Sequence, residues 1–391
     1  MEEDIKIWTR RLTGVLARLD DPPARVEARL ENGGLEVSLW PESGAGLVLH
    51  FGSDSMQYRG SELDERGACW IEAIERSLER TRRLPGWRDF LTCGSVHTDP
   101  VSSGDWWLIR LTERCNATCA FCSAVGTTPD LATSRVRIER RLELGRSRGQ
   151  LKLSITGGEP TLLRRLPAWI ERARELGYRE VDLQTNGLLL DDPGRLDQLS
   201  RAGLSSVFLS LHSHRPEVHD AMLSVDGAFD RAFACARYTQ RSGLMLGINV
   251  VLTRYNKDDL HGLISLIAAR LDPARCHVNL SYCSPQGRAL EHLDLLVPLF
   301  DLAPRLEAAL DEGAGLGLDM HVPGICGVPM CSLPAHLKYF DEFHAKSPAH
   351  QPERIYPELC SGCGLRARCS GFWRVYLERF GPAGLGAQRL V

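Results

Sequence analysis

Three cysteines lie close together in the sequence CNATCAFC at positions 115–122, which places them at Cys115, Cys119 and Cys122. This CxxxCxxC spacing lets one loop surround a metal centre. Three thiolates fill three iron positions of a [4Fe–4S] cube, whereas an electron carrier normally uses four cysteine ligands. The fourth iron is then free to bind a chelating molecule, much as catalytic metal sites keep an open position. The alternative is a zinc site completed by a distant fourth ligand.

A second cysteine group lies near the end of the chain. Cys360, Cys363 and Cys369 form the pattern CxxCxxxxxC, and Cys331 and Cys326 precede them. CxxC followed by a further cysteine is a metal-binding spacing, and one upstream thiol completes four ligands. We expect Cys331 to be the fourth ligand, with Cys326 as the alternative. Four thiolates suit either an iron–sulfur cluster or structural zinc.

Polar residues also interrupt the ends of several apolar runs after the first cysteine group. The run ending at 155 is followed by Thr-Gly-Gly-Glu-Pro at 156–160, later runs end near Asn186 and Ser210, and Asn249 lies on the fifth predicted strand. Paired glycines let a backbone approach a ligand closely, and a carboxylate accepts hydrogen bonds from an ammonium group. We therefore expect these run ends to surround a bound small molecule.

The cysteine array, with an aromatic residue before its last cysteine, resembles the defining motif of the radical S-adenosylmethionine (SAM) superfamily, and 157–160 resembles its GGEP motif. In that family the amino and carboxylate groups of SAM chelate the open iron. One electron then cleaves the sulfonium, and the resulting 5′-deoxyadenosyl radical removes hydrogen from a substrate. The resemblance assigns SAM binding to the following residues: Phe121, Gly157, Gly158, Glu159, Asn186, Ser210 and Asn249.

The C-terminal pattern resembles the SPASM extension of radical SAM enzymes, or its shorter Twitch form. A full SPASM pattern continues with a further cysteine, but 370–391 contains none. The resemblance therefore implies one auxiliary [4Fe–4S] cluster, held by Cys331, Cys360, Cys363 and Cys369.

Short β-rich runs alternate with helical stretches from Trp106 onward. The predicted strands are Trp106–Leu111, Leu151–Ile155, Glu180–Gln184, Ser206–Leu211, Met245–Leu252 and His277–Tyr282. The predicted helices are Thr133–Ser147, Pro167–Leu176, Pro193–Ala202, Ala228–Ser242 and Asp258–Leu271. This alternation predicts an α/β fold with a parallel sheet, either open or closed into a full or partial barrel. The resemblance implies a partial (β/α)6 barrel over 104–284.

The parts on either side of this region have different patterns. Residues 1–100 predict a small α+β domain with strands at Leu35–Trp40 and Gly46–Phe51 and a helix at Ala68–Arg83. Residues 285–391 predict a connector helix and then a cysteine-rich region held by something other than a large apolar core. The isolated cysteines are expected to be packing residues: Cys69, Cys93, Cys235, Cys276 and Cys283.

Two further groups have simpler interpretations. His212, His214 and His219 are spaced across a loop, so we expect surface or loop histidines, with His212 the strongest candidate for a functional role. The arginines between 135 and 148 are expected on a solvated helix face, with an anion-binding surface as the alternative.

Composition limits the classes of protein. The 391 residues are 43% hydrophobic, and the net charge of -3 favours neither nucleic acid nor membrane partners. The start is charged and no apolar run reaches the ~18 residues that indicate a membrane span. A cytoplasmic location is expected, where thiols stay reduced and clustered cysteines indicate metal.

The substrate prediction depends on a narrower resemblance. The segments 211–220, 227–230 and 369–373 are similar to peptide-modifying radical enzymes, nearest to the maturases of His-Xaa-Ser repeat peptides. This implies a ribosomally made precursor peptide as substrate and an electron donor such as flavodoxin or ferredoxin. Radical chemistry on a small metabolite or cofactor precursor is the second hypothesis. A noncatalytic iron–sulfur or zinc interaction protein is the third.

Overall fold

The computed structural model describes four strands near the start of the chain and most of the chain after Trp106. The described parts are Pro23, 25–31, 34–40, 47–51, 56–59, 106–123, 135–324, 326–344 and 353–386. The chain divides into two units, Met1–Asp99 with Thr128–Arg137 and Pro100–Thr127 with Ile138–Val391.

The first unit contains an antiparallel sheet in the order β1-β2-β3-β4. Its strands are β1 (Arg25–Glu31), β2 (Gly34–Trp40), β3 (Leu47–Phe51) and β4 (Met56–Arg59). The sequence predicts β2 and β3 but misses β1, because its arginines and glutamates are residues that favour helices. The predicted helix Ala68–Arg83 and the two cysteines Cys69 and Cys93 lie outside the described residues.

The second unit is built on a parallel sheet in the order β11-β10-β9-β8-β7-β6-β5. Its strands are β5 (Trp106–Arg110), β6 (Lys152–Thr156), β7 (Glu180–Thr185), β8 (Ser206–Ser210), β9 (Met245–Leu252), β10 (Cys276–Tyr282) and β11 (Asp319–His321). The predicted α/β class is confirmed. The sheet has seven strands where the sequence predicts six, because the three-residue β11 of the C-terminal region pairs with β10.

Helices connect most of these strands, as their apolar faces and start signals predict. They are α1 (Arg135–Ser147), α2 (Leu166–Glu175), α3 (Pro193–Arg201), α4 (Pro216–Leu223), α5 (Ala228–Arg241), α6 (Leu260–Arg270) and α7 (Leu299–Gly315). At the start of α3, the Asp192 carboxylate accepts a hydrogen bond from the Gly194 amide at 3.1 Å, and Pro193 occupies the first turn. Of the helices in the described ranges, none combines the length and apolarity needed to span a bilayer.

Contacts between the loops of distant strands show that the sheet is curved. Strand β5 is the edge strand, and four strands separate it from β10. The loops that follow these two strands are nevertheless in contact, since the Arg288 amide donates to the Cys122 carbonyl at 2.9 Å. A flat sheet holds such loops far apart, because neighbouring strands are ~4.8 Å from one another. The curvature gives the partial barrel that the resemblance implies, with one additional strand.

Aromatic residues of the C-terminal region pack into the main core of the second unit. It contains α8 (Asp341–His344), β12 (Arg354–Ile355), β13 (Phe372–Trp373) and α9 (Arg374–Phe380), with β12 antiparallel to β13. Phe372 and Tyr376 are buried, and their rings contact the buried Tyr282 of β10 at centroid distances of 5.4 and 6.0 Å. The expectation of a region without a substantial apolar core is therefore wrong, because the aromatic residues near its end pack onto the sheet.

Candidate active site

The three cysteines lie on the loop that follows β5, here called the cysteine loop (111–123). The loop begins by extending the sheet, since the Leu111 amide donates to the Thr156 carbonyl at 2.9 Å, and it turns where the Cys122 amide donates to the Cys119 carbonyl at 3.2 Å. Burial and the neighbouring thiols Cys122 and Cys115 raise the pKa of Cys119 to about 12. Such a thiol is protonated at neutral pH, so binding iron must displace its proton.

The two glycines of the Gly-Gly-Glu-Pro turn press directly against the cysteine loop. The Gly158 amide donates to the Thr112 carbonyl at 2.6 Å, and the Glu159 amide donates to the Arg114 carbonyl at 2.8 Å. A Cβ atom at Gly157 would lie 2.4 Å from the Thr112 carbonyl oxygen, and one at Gly158 would lie 2.3 Å from that of Arg114. Side chains do not fit at either position. The close approach expected of these glycines is made here to the backbone of the cysteine loop.

The Glu159 carboxylate is enclosed in the protein, with an exposed fraction of 1%. Its Oε1 atom accepts from the Thr161 amide at 3.0 Å, the Thr161 hydroxyl at 2.5 Å and the Thr185 hydroxyl at 2.8 Å. Its Oε2 atom accepts from the Asn186 amide at 2.8 Å. Burial raises the pKa of Glu159, and these hydrogen bonds act in the opposite direction. The carboxylate therefore joins its own turn to the end of β7.

Asn186 reaches from the end of β7 to the cysteine loop. Its side-chain amide donates to Asn116 Oδ1 at 2.8 Å and lies 4.0 Å from Cys115 Sγ, and its own Oδ1 accepts from the Leu188 amide at 3.1 Å. Glu159 fixes the Asn186 backbone, so the order of contacts runs from the carboxylate through Asn186 to the first cysteine.

Ser210, at the end of β8, is paired in register with Asn249, which lies inside β9. Both are half-buried. The Asn249 side-chain oxygen accepts from the Ser281 hydroxyl at 2.6 Å, and its carbonyl accepts from the Leu211 amide at 3.2 Å. These residues lie at the carboxyl edge of the sheet, where α/β proteins bind ligands.

Helix α4, which was not predicted from the sequence, packs against the cysteine loop. Its last residue, Leu223, accepts a hydrogen bond through its carbonyl from the Thr118 amide at 3.1 Å. Met222 and Leu223 are buried in one apolar cluster with Ala117, and Cys119 and Phe121 pack against that cluster. The conformation of the cysteine loop therefore depends on the packing of α4.

Two of the three histidines are buried. The prediction of surface or loop histidines is wrong for His219, which lies in α4, whereas His212 lies on the loop after β8 and is enclosed there. His212 and His219 have exposed fractions of 1% and 0%, whereas His214 is half-buried. His219 Nδ1 accepts from the His212 amide at 3.2 Å, and His212 Nδ1 accepts from the Val251 amide at 3.2 Å. The His212 ring meets the edge of Phe121 at a centroid distance of 4.9 Å. The only sequence feature that indicates a functional role for one of these histidines is the position of His212 just after β8.

We expect the burial of His219 to make the stability of α4 depend on pH. Burial lowers the pKa of His219 to about 4, from an ordinary value near 6.5. The folded state then keeps the ring neutral while the unfolded state gains a proton, so the stabilisation is complete above about pH 6.5 and is lost as the pH falls toward 4. Between pH 7 and pH 5 the expected loss is about 2 kcal/mol.

Native-state hydrogen exchange of the α4 amides, corrected for intrinsic rates, measures this loss. His219→Asn keeps an acceptor for the His212 amide but cannot titrate, so its loss between the two pH values should be smaller by about 2 kcal/mol. An equal pH dependence in the wild type and in His219→Asn would contradict the prediction.

The C-terminal cysteines line one small cavity of about 20 Å³. Four thiols face it, from Cys331, Cys360, Cys363 and Cys369, and Phe372 forms part of its apolar wall. The Cys363 amide donates to the Cys360 carbonyl at 3.2 Å, which forms a tight turn at the CxxC pair. Residues 30 and more apart in sequence are therefore gathered around a single space.

Cys326 lies apart from this cavity. Its carbonyl accepts from the Tyr282 amide at 2.6 Å. As a residue, Cys326 is exposed. Across the described ranges, no three His, Cys, Asp or Glu side chains come close enough together to hold one metal ion.

The comparison with protein families matches one segment of the chain. The family model of the Radical SAM superfamily matches residues 109–267, which include the cysteine loop, the Gly-Gly-Glu-Pro turn and strands β6 to β9. This segment of the chain belongs to the Radical SAM superfamily. The resemblance based on the motifs is confirmed.

Curated relatives of this chain include probable GTP 3′,8-cyclases. That of Sulfolobus acidocaldarius is 32% identical over 201 residues, which are 51% of this chain and 62% of the relative. That of Saccharolobus islandicus is 34% identical over 160 residues, which are 40% of this chain and 51% of the relative. The match therefore spans less than two thirds of the length of either relative.

Solved structures with a similar fold include two proteins bound to SAM. SuiB of Streptococcus suis bound to S-adenosylmethionine is 19% identical, with 76% of this chain and 72% of that chain covered and a TM-score of 0.47. The protein anSMEcpe with bound AdoMet and the Kp18Cys peptide is 18% identical, with 55% and 63% covered and a TM-score of 0.46.

Membership of the superfamily implies a [4Fe–4S] cluster and SAM. The residues present fit such a cluster, because the cysteine loop offers three thiols, and thiolates that bind separate irons need not converge on one point as ligands of a single ion do. The loops after β6, β7, β8 and β10 all contact the cysteine loop, which fixes the position of its thiols. The donor set leaves one iron of a cube without a thiolate from this loop.

Proposed function

We propose that this enzyme reductively cleaves SAM at the cysteine loop and uses the resulting radical to remove hydrogen from a substrate. One observation carries the proposal: loops from four other strand ends converge on a loop that supplies three thiols from Cys115, Cys119 and Cys122. When bound, the cluster and SAM supply a carbon radical, because one electron breaks a carbon–sulfur bond of the sulfonium and releases methionine. We assign the electron to a flavodoxin or ferredoxin and the location to the cytoplasm.

The chain's own residues hold and shield this chemistry. Glu159 positions Asn186 through its backbone amide, and Asn186 in turn holds the cysteine loop at Asn116. We propose that Phe121, Gly157 and Gly158 border the SAM site on the side of the cysteine loop, while Ser210 at the end of β8 and its pair Asn249 in β9 border it from the sheet. This proposal is supported by their position at the carboxyl edge of the sheet.

Anaerobic reconstitution tests the reaction. The purified chain is loaded with iron and sulfide, reduced with dithionite and incubated with SAM. We expect 5′-deoxyadenosine and methionine in equal amounts, together with a change in the electron paramagnetic resonance (EPR) spectrum of the cluster when SAM is added. If the EPR spectrum of the reduced cluster does not change when SAM is added and no 5′-deoxyadenosine forms, the result would support a noncatalytic interaction protein instead.

For the substrate we propose a ribosomally made peptide. The support is the cysteine-rich region after the barrel, whose four thiols line one cavity, together with its resemblance to SPASM or Twitch extensions of peptide-modifying enzymes. The second candidate is a nucleotide, and it is favoured by the curated relatives, which are probable GTP 3′,8-cyclases.

One assay separates the two substrates. The reduced enzyme and SAM are incubated in parallel with GTP and with short peptides encoded beside its gene, and the products are analysed by mass. Loss of two hydrogens from a peptide, or deuterium uptake at unchanged mass, supports peptide modification. A product formed from GTP, with all peptides unchanged, supports the nucleotide.

We further propose that Cys331, Cys360, Cys363 and Cys369 hold one auxiliary [4Fe–4S] cluster in the region 285–391. The reconstituted wild type should then contain about eight irons per chain, and a variant with all four cysteines changed to alanine about four. Iron and zinc analysis of both proteins checks this. One zinc and about four irons in the wild type would identify a zinc site instead.

A further inference from the structure

Arg288 contacts the cysteine loop from the opposite end of the sheet. It follows β10 and lies outside the matched segment 109–267. Its backbone amide donates to the Cys122 carbonyl at 2.9 Å, and its guanidinium Nη1 donates to the Cys119 carbonyl at 3.0 Å. One residue thus holds the backbone at two of the three cysteines, 169 positions away from Cys119 in the sequence.

The loop that carries Arg288 is itself well fixed. The Gln286 amide donates to the Ser284 carbonyl at 2.8 Å, and Gly287 has a φ of 56°, in the left-handed region that favours glycine. Ala289 directly after Arg288 is fully buried in the core. Ordered residues on both sides therefore limit where the half-buried guanidinium can move.

A guanidinium at this place has an electrostatic effect on any cluster that the loop binds. Reduction adds one negative charge to the cluster, and a nearby positive charge stabilises the reduced state more than the oxidised state. Hydrogen bonds, net charge and exposure are the factors that set the potential of iron–sulfur clusters. The partly buried position of Arg288 limits the screening of its charge by water.

We propose that Arg288 is a positioning residue that fixes the cysteine loop at Cys119 and Cys122 and, through its charge, raises the reduction potential of the cluster bound there. The inference rests on the proposed function, because it requires a cluster at this loop. It adds a role for a residue of the last barrel loop, outside the motifs.

An EPR-monitored redox titration of the reconstituted full chain tests this role. The signal that responds to SAM identifies the cluster of the cysteine loop. In Arg288→Gln we expect a lower potential, so that the ratio of reduced to oxidised cluster at a fixed potential falls about tenfold, which corresponds to 59 mV for one electron. Arg288→Lys keeps the charge, so it should recover most of the shift.

Arg275→Gln is the matched control, because Arg275 also donates to two backbone carbonyls, those of Gln240 and Leu244, but at the start of β10. An unchanged potential in Arg288→Gln, or an equal decrease in Arg275→Gln, would overturn the inference. If Arg288→Gln binds no cluster, the reduction potential of the cluster in Arg288→Lys is the deciding measurement. A potential near that of the wild type supports the inference, and a clearly lower potential overturns it. A wild type that binds no cluster at this loop would contradict the proposed function instead.

Discussion

Changing Cys119 to alanine is expected to abolish the formation of 5′-deoxyadenosine. Cys119 is the central thiol of the loop, and the thiols of both Cys115 and Cys122 lie near enough to raise its pKa. Removing it leaves two thiols for a cube that needs three, so the cluster of this loop should be lost. The backbone contact with Arg288 uses the carbonyl of Cys119 and remains possible in the variant.

Iron analysis, EPR and the nucleoside assay together check this expectation. Cys119→Ala should retain about four irons per chain, those of the proposed auxiliary cluster, and should lose the signal that responds to SAM. Cys276→Ala is the control, because Cys276 is a buried cysteine at the start of β10, away from the strand ends that carry the site. Nucleoside formation in Cys119→Ala at the rate of the wild type would refute the assignment of the cysteine loop.

Strands and helices of the barrel could be predicted because their signals are local. Strands such as β7 alternate apolar residues with polar ones, and helices such as α3 carry their own start signals. Helix α4 was not predicted because it has only eight residues and follows a loop with two histidines, His212 and His214. Strand β11 is missed because three residues are too few to show a period.

Some features of the candidate site could be predicted from neighbouring residues, whereas others depend on contacts between residues that are distant in the sequence. The cysteines and the Gly-Gly-Glu-Pro turn are recognisable from spacing alone. The partners of Glu159 are not, because Thr185 and Asn186 are 26 and 27 residues away and reach the carboxylate only through the pairing of β6 with β7. The burial of His219 depends likewise on how α4 packs, which no local pattern indicates.

Changing Gly158 to alanine is expected to disrupt the cysteine loop without touching a cysteine. An added Cβ would lie 2.3 Å from the Arg114 carbonyl oxygen and 2.6 Å from that of Glu113, and both neighbours are backbone atoms that cannot rotate away. The loop must therefore shift, which should break the 2.6 Å hydrogen bond from the Gly158 amide to Thr112. Such overpacking costs about 1–3 kcal/mol, and a displacement of about 1 Å near a reacting centre costs about a hundredfold in rate.

Gly315→Ala provides the comparison, because a Cβ at the end of α7 would meet no atom within 4 Å. Gly158→Ala should form 5′-deoxyadenosine about a hundredfold more slowly than Gly315→Ala at equal iron content. The auxiliary cysteines lie in a different part of the unit, so the iron assigned to them should be unaffected in both variants. Equal rates in the two variants would mean that the turn does not fix the loop. The backbone of the Gly-Gly-Glu-Pro turn therefore packs directly on the backbone of the cysteine loop, which holds the ends of β5 and β6 together.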